Sequence, residues 1–415
     1  MPKLLLDLSP LRNRNYARIL LARTISIVGL GMLGVAIPVQ VQDITGSTFS
    51  VGLVSTVEGV ATFIGMIVGG KVVDSTDRRR VILLSRLLGA LCFAALAANS
   101  WIADPHLTVI LLVGAIDGFF GAFATSALLA ITPALVSGKQ LAAAGALNMA
   151  TIRLGTVASP AIGGVVIAHA GVGVCYVIAT ILTLVCVSVL WGLPPLEPAA
   201  GEHSGEEDLP SAQGFRYIIE HRLILAVILV ASLSSMMGGI RVVFPAITAQ
   251  SFGGGPELTG LFFTAVPVGA LLATAFSGWL GHLRRPLRTL LLLLEASFLS
   301  IIGFGVMALY SLPVAAAMGF LVLYGVLSSW ADVVQFTLLQ TETPDQVRGR
   351  VNGVWMAQEV SAESLGALGT GAVGRAVGGA AASVVLGTVA FVGLLGVAAG
   401  RSITTEEPEE PEENA

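Results

Sequence analysis

Seven ionisable side chains stand inside runs of apolar residues long enough to cross a bilayer: Arg23, Glu58, Asp117, Arg153, Arg241, Glu359 and Glu363. A charge at membrane depth costs about 3 kcal/mol or more, so each is a candidate for work on a substrate or a proton. At ~1.5 Å of rise per residue, Asp117, Glu359 and Glu363 fall near mid-membrane. Glu58 lies in the outer half of its span and Arg153 past the middle of its own. Arg241 approaches the outer end of its span, and Arg23 is about two turns from the inner end of the first. Guanidiniums so placed can pair with anionic oxygens, and carboxylates can carry protons.

Each has a plainer use. Arg23 and Arg241 can snorkel to the headgroups, and the deep carboxylates can sit in structural ion pairs. Phe119, Phe120 and Phe123 can pack on one another rather than stack on cargo. Glu295 and Asp332 fall outside the candidate set. Enzyme chemistry has no support, because no nucleophile–base pair, phosphate loop or metal-ligand spacing occurs, and neither a cofactor nor nucleic acid is expected.

The elements that hold these charges are membrane helices. Only 12% of the 415 residues are charged and 55% are apolar, about half the charge of an ordinary soluble domain. Windows of about 20 apolar residues predict twelve spans, at 18–40, 51–72, 81–101, 107–130, 141–168, 172–193, 222–248, 258–280, 288–309, 313–337, 350–374 and 380–400. The first is too long for a signal-peptide core and is expected to be retained. Cys92, Cys175 and Cys186 fall in or beside spans and are expected as small buried hydrophobes.

Basic residues gather in alternate loops: Lys3, Arg12 and Arg14; Lys71 and Arg78 to Arg80; Lys139; Arg216 and Arg222; Arg284, Arg285 and Arg288; Arg348 and Arg350. Only Arg375 lies on the other side. The positive-inside rule predicts that both termini are cytoplasmic.

The sequence divides into a six-helix half at 1–193, an acidic linker at 194–215, a second six-helix half at 216–401 and a disordered acidic tail at 402–415. "TPALVSGK" after span 4 matches "TPDQVRGR" after span 10. The same offset brings Leu154-Gly155 onto Leu365-Gly366 and Gly163 onto Gly374. "GVAIPVQVQ" ending span 1 is similar to "RVVFPAITAQ" ending span 7. Duplicated halves predict a transporter that rocks about a central site.

At this point the chain resembles the major facilitator superfamily. Between spans 2 and 3, "GGKVVDSTDRRRVILL" carries the family's loop signature at Gly70, Asp74, Arg78, Arg79 and Arg80, with Ser75 and Asp77 departing from it. The resemblance implies a conformational latch, with Gly70 ending a closely packed helix. In span 5, "GTVASPAIGG" resembles the signature of proton-coupled drug antiporters at Gly155, Pro160, Gly163 and Gly164, with Ser159 where a glycine usually stands. Small residues four apart let a helix approach closely, and Pro160 bends its own helix. A passive packing face is the plain alternative.

The stretches "LARTISIVGLGMLGVAIPVQVQ", "DGFFGAF", "IRLGTVASPAIGG" and "RGRVNGVWMAQ" are similar to the enterobactin-exporter group of siderophore exporters, which sits beside the macrolide-efflux branch. An Arg-Gln-Gly signature of other antiporters is missing from span 4, where Asp117-Gly118 stands instead. The resemblance implies an all-α membrane fold, a cavity lined by spans 1, 2, 4, 5, 7, 8, 10 and 11, and a monomer of a bacterial inner membrane. It also implies proton-coupled export of a siderophore, with Arg153 and Arg241 on the cargo's oxygens and Asp117, Glu359 or Glu363 carrying the proton. Macrolide or multidrug efflux is the alternative cargo class. A non-transporting membrane sensor is the alternative from another class, and the short loops count against it.

Overall fold

The computed structural model describes residues 7–136, 140–194 and 212–399. Thirteen α-helices follow one another among them: α1 (Arg14–Thr45), α2 (Thr48–Ser75), α3 (Arg78–Ser100), α4 (Leu107–Leu135), α5 (Leu141–Trp191), α6 (Ala212–Glu220), α7 (Arg222–Gly238), α8 (Phe244–Phe252), α9 (Pro256–Ala275), α10 (Pro286–Leu309), α11 (Val314–Glu342), α12 (Asp345–Val377) and α13 (Gly379–Ala399). The fold is all-helical, as expected, and the spans are recovered with three refinements.

Ten segments are long and apolar enough to cross a membrane by length and composition. One of them, α5, holds two of the expected spans, because Gly171 (φ 84°, ψ 167°) turns the chain back within it. Only glycine takes that backbone without strain. Expected span 11 is α12, whose charges and polar residues dilute its hydropathy. Span 7 is broken into α7, a 3-10 turn at Gly239–Val243 and α8. Adjacent Gly238 and Gly239 hold helix weakly, and Pro245 supplies no N–H to continue it.

Caps set the other boundaries. Asn13 Oδ1 accepts from the amides of Asn15 and Tyr16 at the start of α1, and Asp77 Oδ1 accepts from Arg79 N at the start of α3. Asp77, one of the departures from the loop signature, is therefore a helix N-cap.

Spans 1 to 6 bury a core that includes Met32, Val35, Phe93, Leu96, Ile110 and Tyr176. Spans 7 to 12 bury one that includes Leu290, Leu294, Phe298, Leu339 and Val351. On the outer face of α3, Leu84 and Leu91 are 62% and 61% exposed seven residues apart. An apolar stripe turned outward needs lipid, not water, as its solvent.

The halves meet along two seams, α2 against α12 and α5 against α9. At the first, Thr48 Oγ1 donates to Gly371 O at 2.9 Å and Thr56 Oγ1 to Ser364 O at 2.9 Å. At the second, a Cβ on Gly164 would stand 2.7 Å from Pro256 O and 2.9 Å from Gly260 Cα. Thr48 and Pro256 begin their helices beside the turns after α1 and α8, so both seams lie at the end of the bundle away from the start of α1.

The two halves repeat, but not in the register of the Thr-Pro matches. Gly46 (φ 60°) and Gly253 (φ 58°) end α1 and α8, and Gly171 and Gly378 (φ 84° and 88°) turn the chain after spans 5 and 11. The spacing that joins those pairs also takes Pro38 to Pro245 and Gly164 to Gly371. It is shorter by about one helical turn than the spacing from Thr132 to Thr343. Thr132-Pro133 lies inside α4, whereas Thr343-Pro344 joins α11 to α12. Small residues recur every fourth position in both spans, so a one-turn slip still aligns glycines.

Of the stretch expected as linker, 195–211 lies outside the described residues, and its last residues, from Ala212, already belong to α6. The expected disordered tail also lies outside them.

Candidate functional site

Small residues decide where helices close and where a space remains. The antiporter-like stretch of α5 presents two faces. Gly155, Ser159 and Gly163 lie against α1, where a Cβ on Gly155 would strike Ile27 and one on Gly163 would stand 3.0 Å from Met32 Cα. Ser159 is fully buried beside Gly31, with its hydroxyl donating to Gly155 O at 2.7 Å. Pro160 and Gly164 face the other half instead, with Pro160 O 2.6 Å from where a Cβ on Gly260 would stand.

Between the halves lies a cavity of about 620 Å³, lined by α1 to α4, α7 and its 3-10 turn, α9 and α12. Four of the seven expected charges line it: Glu58, Asp117, Arg241 and Glu363. Arg241, on the turn that breaks span 7, places Nη2 3.1 Å from Glu363 Oε1 of α12, with both side chains about half exposed (49% and 48%) to the cavity. Arg241 is thus paired in the protein interior rather than snorkelling. Gly238 lies beside the pair, where a Cβ would make an ordinary contact with Glu363 Oε1 at 3.4 Å.

Glu58 and Asp117 occupy neighbouring helices. A Cβ on Gly118 would stand 2.5 Å from Glu58 O, so only glycine lets α4 approach α2 there. Glu58 lies within the electrostatic reach of both Asp117 and Glu363.

Arg23, Arg153 and Glu359 are not among the lining residues. Arg23 is half-buried in α1, within reach of Arg86. Arg153 is half-buried in α5, and Asp332 of α11 lies within reach of both it and Glu359. Asp332 falls outside the candidate set of the sequence analysis. It stands instead in a second charged group bridging the halves.

Arg86 of α3 lines the cavity and was missed entirely. Its signal was present, a lone cation about 12 Å into an apolar span, but it was masked by the run Arg78 to Arg80 that opens the same helix. The expected lining set also needs correction. Span 3 contributes Arg86, and none of the lining residues comes from spans 5 or 10. Phe119, Phe120 and Phe123 pack on one another with ring centroids 5.0, 5.0 and 5.7 Å apart, and none lines the cavity.

The loop signature divides likewise. Arg79 Nη2 donates to Trp191 O at 2.6 Å, with its guanidinium carbon 5.9 Å from the Trp191 ring centroid. Arg78 is buried, and Arg80 reaches Asp77 Oδ2 at 3.6 Å. Gly70 does not end a closely packed helix as expected. Helix α2 runs on to Ser75, and nothing lies within 4 Å of a Cβ on Gly70. The close contact belongs to Gly69, whose Cβ would stand 2.7 Å from Phe123 Cδ1. Asp74 is in the last turn of α2, and its side chain is outside what the structure describes.

The three cysteines are buried as expected.

Residues 19–367 match the family described as Major Facilitator Superfamily. The chain is 41% identical over 396 residues to the enterobactin exporter EntS of Citrobacter koseri, covering 94% of this chain and 93% of that protein. It is 41% identical over 372 residues to EntS of Shigella boydii, covering 89% and 88%. Among solved structures, the nucleoside transporter NupG is similar with a TM-score of 0.76, covering 93% of this chain and 98% of its own, at 12% identity. That likeness concerns the fold alone.

Proposed function

This chain belongs to the Major Facilitator Superfamily, a multi-pass membrane transporter rather than an enzyme, and from that premise we propose that it exports a siderophore. The cargo is an enterobactin-like catecholate or a similar anionic aromatic, carried outward across a bacterial inner membrane by alternating access and driven by proton exchange. The observation that carries this reading is the 41% identity to the Citrobacter koseri enterobactin exporter across nearly the whole of both chains. A cavity holding guanidiniums and carboxylates together supports it. Guanidiniums suit catecholate or carboxylate oxygens, and carboxylates at membrane depth suit a proton.

With both termini cytoplasmic, as the basic loops predict, the α2–α12 and α5–α9 seams lie on the outer side. The conformation is then the one that receives cargo from the cytoplasm. Rocking must open these seams and close the opposite end. The two-faced small-residue stretch of α5 suits that role, since one face stays on α1 within its half while the other releases α9. Arg79 of the signature, at the start of α3, supports the latch role by holding the end of α5.

Glu58 and Asp117 in the cavity favour a second reading, efflux of cationic drugs such as macrolides. Proteoliposomes distinguish them. Enterobactin flux that follows an imposed proton gradient supports siderophore export, ethidium flux without enterobactin flux supports drug efflux, and binding of either without flux identifies a sensor.

A further inference from the structure

Among the described residues lining the cavity, the cations are Arg86 and Arg241, and Arg241 is already engaged by Glu363 at 3.1 Å. Among the described residues Arg86 has no ion-pair or hydrogen-bond partner, and its Nε is buried without one. A guanidinium offers five N–H donors in a planar fork, and a buried N–H left without a partner is costly.

Its surroundings explain how it stays unneutralised. One turn along α3, Gly89 leaves a notch, and Asp117 of α4 sets Oδ1 3.1 Å from where a Cβ on Gly89 would stand. Asp117 therefore lies beside Arg86, within its electrostatic reach but outside ion-pair contact. Glu58 of α2 lies within reach of Asp117, and Arg23 of α1 is a second cation within reach of Arg86. The thiols of Cys92 on α3 and Cys186 in span 6 are further titratable groups within reach, of Asp117 and of Arg86 respectively. Arg86 thus has a cation and a carboxylate both within reach, with neither in ion-pair contact.

We infer that Arg86 is the anion subsite of the cavity, taking paired catecholate or carboxylate oxygens of the cargo, and that Asp117 is the internal carboxylate that orients it when cargo is absent. The inference rests on the anionic cargo proposed above and assigns its recognition to α3 rather than to Arg153 or Arg241. The planar fork matches two oxygens on adjacent carbons or on one carboxylate. A proton on Asp117 ends its competition for Arg86 and strengthens cargo binding. Proton exchange against cargo has the opposite sign, so the exchanged proton belongs on another carboxylate.

The test uses the full-length protein in nanodiscs, titrated calorimetrically with 2,3-dihydroxybenzoate and with uncharged catechol. Arg86→Met is expected to weaken the benzoate at least tenfold and leave catechol within about twofold, because only the charged contact is lost. Arg86→Lys recovers part of the loss, and Asp117→Asn tightens the benzoate severalfold. Should methionine prevent folding, Arg86→Gln is read the same way. Unchanged benzoate binding in Arg86→Met, or equal loss of both probes, overturns the assignment of Arg86 while leaving siderophore export standing. Weaker benzoate binding in Asp117→Asn overturns the role of Asp117. Wild-type protein that binds neither probe overturns the anionic cargo and this inference with it.

Discussion

Gly164 of α5 rests directly on Gly260 of α9, so close that a Cβ on either would stand 2.9 Å from the other's Cα. Gly371 of α12 meets Gly52 of α2 in the same manner, with its Cβ 3.2 Å from Gly52 Cα. The repeat that takes Gly164 to Gly371 takes Gly52 to Thr259, one residue before Gly260, so these are closely corresponding contacts, backbone on backbone, at one end of the bundle. Gly164→Leu or Gly371→Leu is expected to slow transport at least tenfold at wild-type abundance, because a leucine cannot enter either seam. Gly145→Ala, with open space around its Cβ, is the matched control. Flux in proteoliposomes, normalised to protein, is the measurement.

Arg79 ties the start of α3 to the end of α5 through Trp191. Arg79→Ala is expected to destabilise the protein by about 1 kcal/mol, combining a charge-assisted hydrogen bond with a partly exposed cation–π contact. Arg80→Ala, at a side chain 77% exposed, is expected to change little. Thermal unfolding of the two variants in one detergent compares them directly.

The Arg241–Glu363 pair is half exposed to the cavity, so its coupling in a double-mutant stability cycle is expected to stay below about 1 kcal/mol. Arg241→Met and Glu363→Gln are each expected to reduce flux, and the combined variant is expected not to recover it. Recovery to wild-type flux would mark the pair as structural only.

Arg153 and Asp117 are not partners. Asp117 lies within reach of Arg86, and Arg153 within reach of Asp332. Combining Arg153→Met with Asp117→Leu is therefore expected to transport no better than either single variant. Combining Arg153→Met with Asp332→Leu is expected to exceed its own singles in membrane abundance, because it removes both members of a neighbouring charge pair. Abundance and flux of the five variants decide the pairing.

The cytoplasmic termini proposed above predict that a cysteine at Ser204 is labelled only when reagent reaches the inside. Cys92, Cys175 and Cys186 are buried, so they add little background. Labelling by an impermeant maleimide in intact cells would reverse the topology, and with it the side from which the cavity loads.

The spans and most of the charges within them were legible in the sequence, because the cost of a charge or of an unpaired amide in lipid depends on composition along one line. The turn at Gly171 follows from a residue that admits few alternatives, since only glycine takes its backbone without strain. What the line of residues did not determine is which charge meets which. Arg86 faces the cavity and Arg153 does not, because that depends on how each helix is rotated and on which neighbour comes close enough to touch. Gly70 and Gly69 differ by one residue and about 100° around α2, yet only Gly69 meets another helix. The repeat shows the same limit: small residues every four positions satisfy a sequence match in two registers, and only backbone contact between Gly164 and Gly260, and between Gly371 and Gly52, decides between them. Periodicity belongs to a single helix, whereas a contact belongs to two, and the second partner is supplied only when the chain has folded.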